Sequence, residues 1–459
     1  SLSGLSYVIG LRCQNLIVKE DNFMDLLRQD IKSLYFKYLS AAFGSAMISS
    51  IYAIVDMAMV GQYQGPDGTA ALAVVAPIWN LIYSLGLLTG IGGSVLFSTL
   101  KGQQQKGGNS ENEYFTASLT GTAAFALISW LLILFLDAPL LRLFGADEAL
   151  LPLAQEYLLP IKFVIPFFVF NQMLAAFLRN DRNPGLATAA VLSGGILNII
   201  GDYLFVFPLG MGIMGAGLAT ALGAALTFIV LLSHFFTSRN SLRIVKVSAF
   251  PQKLNRILVM GFSTFFIDVA MGILTMFFNR QIMKYSGSAA LSVYGIIVNV
   301  STVVQCCAYS VGQAAQPILS INYGAGKRDR VRQTLKYALW TAGFFSLAWT
   351  LAILVFPNGF TRIFMNPTAE VLKMAPPIIR SYGISFLLLP FNIFSTYYFQ
   401  ALMKPKVSFL VSVSRGLVIS GILIYVLPVL AGVGSLWFAM PITELLVFVY
   451  VVYSMKRYS

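Results

Sequence analysis

Charge is scarce in this chain. Asp, Glu, Lys and Arg make up 11% of its 459 residues, and it has one histidine and three cysteines. A soluble domain carries roughly 25% charged residues to keep its surface wetted. So little charge excludes an ordinary soluble protein, and lipid is the simple answer to what most of the surface faces. One histidine and no reactive-thiol context leave no catalytic constellation for an intramembrane hydrolase or transferase, so the chain is not expected to be an enzyme. The cysteines are Cys13, Cys306 and Cys307. The last two are neighbours that do not easily bridge, and all three read as structural, with no disulfide framework and no cysteine metal site. The opening SLSGLSYVIG is too short and too polar-flanked for a cleavable signal.

What the chain has is apolar length. Hydrophobic residues are 57% of it, and its mean hydropathy is +0.76. That leaves room for about twelve spans of roughly 20–25 residues. The apolar runs place helices near 37–61, 69–100, 114–137, 151–178, 184–207 and 213–237. A second set falls near 257–284, 288–322, 333–356, 375–402, 406–430 and 435–455. Before the first run, DNFMDLLRQDIKSLYF has apolar residues at helical spacing and is expected to lie on the membrane surface.

The net charge of +13 sits in short breaks between apolar runs, which is not the footprint of a nucleic-acid binder. One set of alternate loops carries Lys19, Arg28, Lys101, Arg179, Arg182, Arg239, Arg243, Lys246, Lys253, Lys327, Arg328, Arg330, Lys404, Lys456 and others. The opposite set has only Arg142, Arg280, Lys284, Arg362 and Lys373. This asymmetry predicts both termini on the cytoplasmic side of the membrane and an even number of spans.

The two sets of six helices repeat. Gly90–Gly102 matches Gly312–Gly324, with Ser98 opposite Ser320, and Pro184 and Pro208 match Pro405 and Pro428. Six is even, so the halves share one orientation and are related by an axis normal to the bilayer. The expected architecture is an all-α polytopic membrane protein: a tail and amphipathic segment over 1–36, an N-lobe over 37–238, a basic connector over 239–256 and a C-lobe over 257–459. Substrate is expected between the lobes.

An ionisable side chain in the hydrocarbon layer costs roughly 2.5–3.5 kcal/mol on insertion scales, so each needs a reason. The acidic ones are Asp56, Asp202, Asp268 and Glu444; the basic ones are Lys162, Arg380 and Arg415. Asn198 lies one turn before Asp202 on the same helix face. Two carboxylates, an amide oxygen and nearby hydroxyls suit Na⁺, and two carboxylates also suit a shared proton. Each carboxylate has a purely structural reading as well, which Glu444 fits best. Asp56 falls opposite Asn279 in the repeat and Asp202 opposite an apolar stretch near Ile422, so the acid pair belongs to the first half alone. His234, near the end of the sixth helix, reads as interfacial.

Together, IVDMAMVG, APIWNLIYSLGLLTGIGGS, LNIIGDYLF and GQAAQPILSINYGAGKRDRV, in that order across two six-helix repeats, resemble the multidrug and toxic compound extrusion (MATE) transporters, particularly the bacterial MepA-like branch. The resemblance implies antiport: an organic, often cationic, drug-like molecule or metabolite leaves as H⁺ or Na⁺ enters. Its cation site falls here on Asp56, Asn198, Asp202 and Thr220, with Tyr157 beside it. No cofactor is implied beyond the coupling ion, and the expected form is a monomer in a lipid bilayer. The bordering cleft residues would include Asp268, Asn279, Gln172, Phe168, Phe391 and Asn392, with Phe167, Phe170, Met173 and Tyr397 as further candidates. The expected coupling is by charge, a cation on the acid pair displacing cargo. YLSAAFGSAMISS lacks the family's first-helix proline, and the tenth helix has no acid, so a cation site in the second half is not expected. The rival readings are a flippase for lipid-linked oligosaccharide from the same superfamily and a membrane-embedded enzyme.

Overall fold

The computed structural model describes residues 26–103, 110–364 and 368–458. Within them the chain forms helices, turns and extended connectors, with no strand. The spans are α1 (Ile31–Gly65), α2 (Asp67–Gly102), α3 (Ser110–Leu143), α5 (Pro184–Val206) and α6 (Gly212–Phe236), with α4 the bent pair Leu150–Ile161 and Ile165–Asn180. The second half has α7 (Phe250–Tyr285), α8 (Ala289–Gly324), α9 (Arg328–Val355), α10 (Ala369–Ala401), α11 (Pro405–Ala431) and α12 (Val433–Tyr458). Counting the bent pair as one span, the described residues hold twelve helices long and apolar enough to cross a bilayer.

Local chemistry sets the boundaries. Asp30 caps α1, its carboxylate accepting from Ser33 N at 3.0 Å. Gly65, at φ 69°, takes the left-handed turn that separates α1 from α2. Pro184 and Pro405 open α5 and α11, where a missing N–H costs nothing. The 61° bend of α4 lies between Pro160 and Pro166, and Trp130 Nε1 donates to the freed Lys162 carbonyl at 2.7 Å.

Two boundaries differ from the sequence expectation. The stretch expected on the membrane surface is packed on protein instead: Leu26 and Leu27 before α1, and Ile31, Leu34 and Tyr35 in its first turns, are buried against α8, α9 and α10. Asn322 and Arg330 donate to the Leu26 carbonyl and Lys327 to that of Leu27, so protein, not lipid, satisfies both the apolar stripe and the backbone. The part of the expected N-terminal tail over 1–25 lies outside the described residues. α7 starts at Phe250 instead of near 257, because Pro251 suits the first helical turn. The connector before it runs extended along α3, with Arg243 N donating to Asn112 Oδ1 and Val245 N to Thr116 Oγ1.

The halves meet where the basic loops lie. Ser98 Oγ is 2.5 Å from Ser320 Oγ. A Cβ on Gly102 would sit 2.1 Å from the Ile321 carbonyl oxygen, and one on Gly324 would sit 2.0 Å from that of Thr99. Each residue and its repeat mate thus exchange the same contact, which requires a twofold axis running between α2 and α8. Only glycine lets the two backbones approach this closely. Further out, α2 packs into a cluster of first-half residues and α8 into one dominated by second-half residues. Away from the basic end each of these helices is thus packed mainly within its own half.

That end is also knitted by buried polar groups. Asp181, fully buried, pairs with Lys101 Nζ at 2.9 Å and His234 Nε2 at 2.9 Å, and accepts from Ser241. Burial pushes the Asp181 pKa up, but Lys101 and the hydrogen bonds of His234 and Ser241 outweigh it and hold it at about 2. His234 is thus a buried structural partner, not an interfacial residue. With all native cysteines changed to alanine, Ser98→Cys with Ser320→Cys is expected to cross-link nearly completely under mild oxidant, read by mass spectrometry of the joined peptides. Halves that met elsewhere would give no such bond.

Candidate cation site and interhelical cavity

α1, α4, α5 and α6 bring five polar side chains to one point in the first half. Tyr157 OH donates to Asp56 Oδ2 at 2.9 Å and lies 3.4 Å from Thr220 Oγ1. Asn198 Nδ2 donates to Thr220 Oγ1 at 3.1 Å and reaches Asp202 Oδ1 at a long 3.5 Å. Small residues allow this convergence: Gly201 on α5 rests on Ala219 of α6, and Gly217 on the Tyr157 carbonyl. Asp202 is fully buried and Asp56 is 8% exposed.

The charge of this group is uncompensated. Among the described residues neither Asp56 nor Asp202 forms an ion pair, and Asp56 Oδ1, Asp202 Oδ2 and Asn198 Oδ1 are buried without a hydrogen-bond partner. Buried polar atoms are nearly always satisfied, so three idle oxygens in one spot call for a partner and make this a candidate cation site. The set is all oxygen, which suits Na⁺ or a proton and not a soft transition metal. No group of three or more His, Cys, Asp or Glu able to hold a metal occurs among the described residues.

Beside this site lies a cavity of about 230 Å³ between the halves, lined by α1, α2, α4, α5, α6 and α8. That volume is many times what one water needs, so it admits an organic molecule. Asn198 and Thr220 line the cavity as well as the cation site, whereas Asp56 and Asp202 do not line it. Tyr52, one turn before Asp56, forms part of its wall and is bonded to Tyr83 at 2.9 Å.

Comparison with known proteins fits this geometry. The MatE family model matches the chain twice, over residues 41–204 and 262–426. This chain belongs to the MATE family. The multidrug export protein MepA of Staphylococcus aureus (strain MSSA476) is 23% identical over 397 residues, covering 85% of this chain and 86% of that protein. The Staphylococcus saprophyticus MepA is 23% identical over 394 residues with the same coverage. An outward-facing structure of a multidrug resistance MATE transporter of the MOP superfamily superposes with a TM-score of 0.85 at 21% identity, covering 95% of this chain and 97% of that one. A MATE structure in the straight conformation gives 0.84, also at 21% identity and with the same coverage. One family match lies in each half.

Within this MATE fold the other expected cleft residues separate. Phe168 and Gln172 line the cavity. Asp268 sits behind its wall, accepting from the lining Tyr309 OH at 3.1 Å. Asn392 is not a cleft residue: it is fully buried and donates to Glu444 Oε2 at 2.6 Å, which pairs with Arg415 at 2.7 Å. Phe391 packs on Phe448 and beside Gly343, away from the cavity, because α10 turns that face to α9 and α12. Asn279 is half-buried on α7 and is not among the lining residues. Phe167 and Phe170 pack on Phe228, and Met173 and Tyr397 are buried against Gly90 and Gly312.

Sequence reasoning missed two features. The Asp137–Lys162 pair, at 2.7 Å, answers for Lys162. Arg179, counted with the loop charges, is buried at 8% exposure and lines the cavity. Its spacing of seven from Gln172 on α4, two turns along one face, was the available signal.

Tyr157→Phe removes the hydrogen bond to Asp56 Oδ2. It is expected to cost about 1.5–3 kcal/mol, the range for bonds to charged groups. Thermal unfolding in detergent checks this; unchanged stability would show that Tyr157 does not hold Asp56.

Proposed function

We propose that this protein exports an organic small molecule from the cytoplasm in exchange for H⁺ or Na⁺ by alternating access. The observation that carries the proposal is the unpaired oxygen cluster at Asp56, Asn198 and Asp202, next to a cavity between two repeated halves. Two buried carboxylates that share neighbours need a counter-charge, and a proton or Na⁺ supplies it. By this reading the basic loops are cytoplasmic, the end where the halves meet faces the cytoplasm, and this state opens outward. Both termini would then be cytoplasmic.

Coupling runs through side chains common to both sites. Asn198 and Thr220 face the cation and the cavity at once. A cation drawn to Asp56 and Asp202 would turn the Asn198 oxygen and the Thr220 hydroxyl toward itself, reshaping the cavity wall and weakening cargo. This refines direct charge competition, since the carboxylates lie behind the wall instead of on it. The protein functions by this reading as a monomer, each chain holding a complete site.

The test uses the full chain in vesicles with pH and Na⁺ gradients imposed separately. Asp56→Asn and Asp202→Asn are each expected to lower gradient-driven transport of a dye at least tenfold, with the protein still folded. Wild-type rates in both variants would end the proposal.

A further inference from the structure

Outside the Asp56–Asp202 site, the buried charges among the described residues are paired with one exception: Asp181 pairs with Lys101, Asp137 with Lys162 and Arg415 with Glu444. Arg179 breaks the pattern. It is more than nine-tenths buried, it faces the cavity, and among the described residues it forms no ion pair and no hydrogen bond. The cavity lining contains no Asp or Glu, and Arg179 is its one charged side chain.

The rest of the lining suits a partner for that guanidinium. On one face of α4, Phe168, Gln172 and Arg179 follow each other toward the closed end. Gln313 and Tyr309 of α8 face them from the second half. Along α4 the aromatic ring lies farthest from the basic end, amides lie between, and the fixed positive charge lies nearest that end, here called the base of the cavity. A buried cation without a partner is costly, and a guanidinium is satisfied best by two parallel bonds to a carboxylate or phosphate-like group.

Resting on the reading that this cavity holds the cargo, we infer that the cargo carries an anionic group, a carboxylate or similar oxyanion, which Arg179 receives at the base of the cavity. The cargo class is an organic acid or zwitterion with a flat apolar body. Such cargo does not compete with H⁺ or Na⁺ for the Asp56–Asp202 pair by charge, which agrees with coupling through Asn198 and Thr220. Arg179 belongs to the α4 half of the wall, so its charge moves with the first half when the cavity changes access.

Two dyes with a shared ring system and opposite charge test this. Fluorescein, a dianion, and rhodamine 6G, a cation, are titrated separately against the purified full chain in detergent by fluorescence polarisation, with no ion gradient. Fluorescein is expected to bind the wild type more tightly than rhodamine 6G. Arg179→Gln should weaken fluorescein at least tenfold and leave rhodamine 6G unchanged or tighter, and Arg179→Lys should fall between. Equal fluorescein affinity in wild type and Arg179→Gln would overturn the inference, as it would mean that Arg179 serves only as a partner for another side chain. If Arg179→Gln does not fold, the wild type decides alone, and tighter binding of rhodamine 6G than of fluorescein overturns it. Binding is read without a gradient, so the two readings fail separately. Fluorescein bound through Arg179 with no gradient-driven export would sink antiport and leave this inference standing.

Discussion

Two carboxylates held in a low-dielectric interior without a positive partner constrain everything around them. Asp56 and Asp202 sit on different helices, so their neighbourhood has to be built by tertiary packing. The glycine and alanine contacts of α5 and α6 permit that packing, and Tyr157 reaches in from the outer arm of bent α4. The bend itself is what points Tyr157 at Asp56 while the inner arm turns Phe168, Gln172 and Arg179 to the cavity. Structure and chemistry are thus linked at one kink between two prolines.

The repeat gives the molecule its shape but not its asymmetry. Symmetric serine and glycine contacts close the basic end. The second half has filled its corresponding interior differently, with Arg415 paired to Glu444 and Asn392 donating to the same carboxylate. A neutralised cluster of that kind holds helices together but does not call for an ion. In the first half Asp56 and Asp202 are left without such a partner, and the proposed ion exchange is therefore set there.

The sequence made some of this legible and hid the rest for physical reasons. Span positions and the twofold repeat follow from apolar length and from glycines and prolines at a fixed offset, which are local signals. Asp56, Asn198, Asp202, Thr220 and Tyr157 were nameable because charge inside an apolar run is rare and the family resemblance aligned them. The segment before α1 looked like a surface helix because an amphipathic stripe does not say whether it meets headgroups or protein. Asn392 and Phe391 were misplaced because the face of α10 that meets the cavity depends on its packing against α9 and α12. Arg179 was hidden by its neighbours: FLRNDRNPG reads as a basic loop, while the helix in fact runs on to Asn180.

The central claim is that cation and cargo sites share Asn198 and Thr220 and so must influence each other's affinity. The most direct test is the dissociation constant of one bound dye, measured on purified protein across pH and across Na⁺ concentration at constant ionic strength. The account predicts that one of the two cations weakens the dye by about 5-fold or more, the range of ordinary coupling energies. Dye affinity that stays flat across both titrations would contradict it.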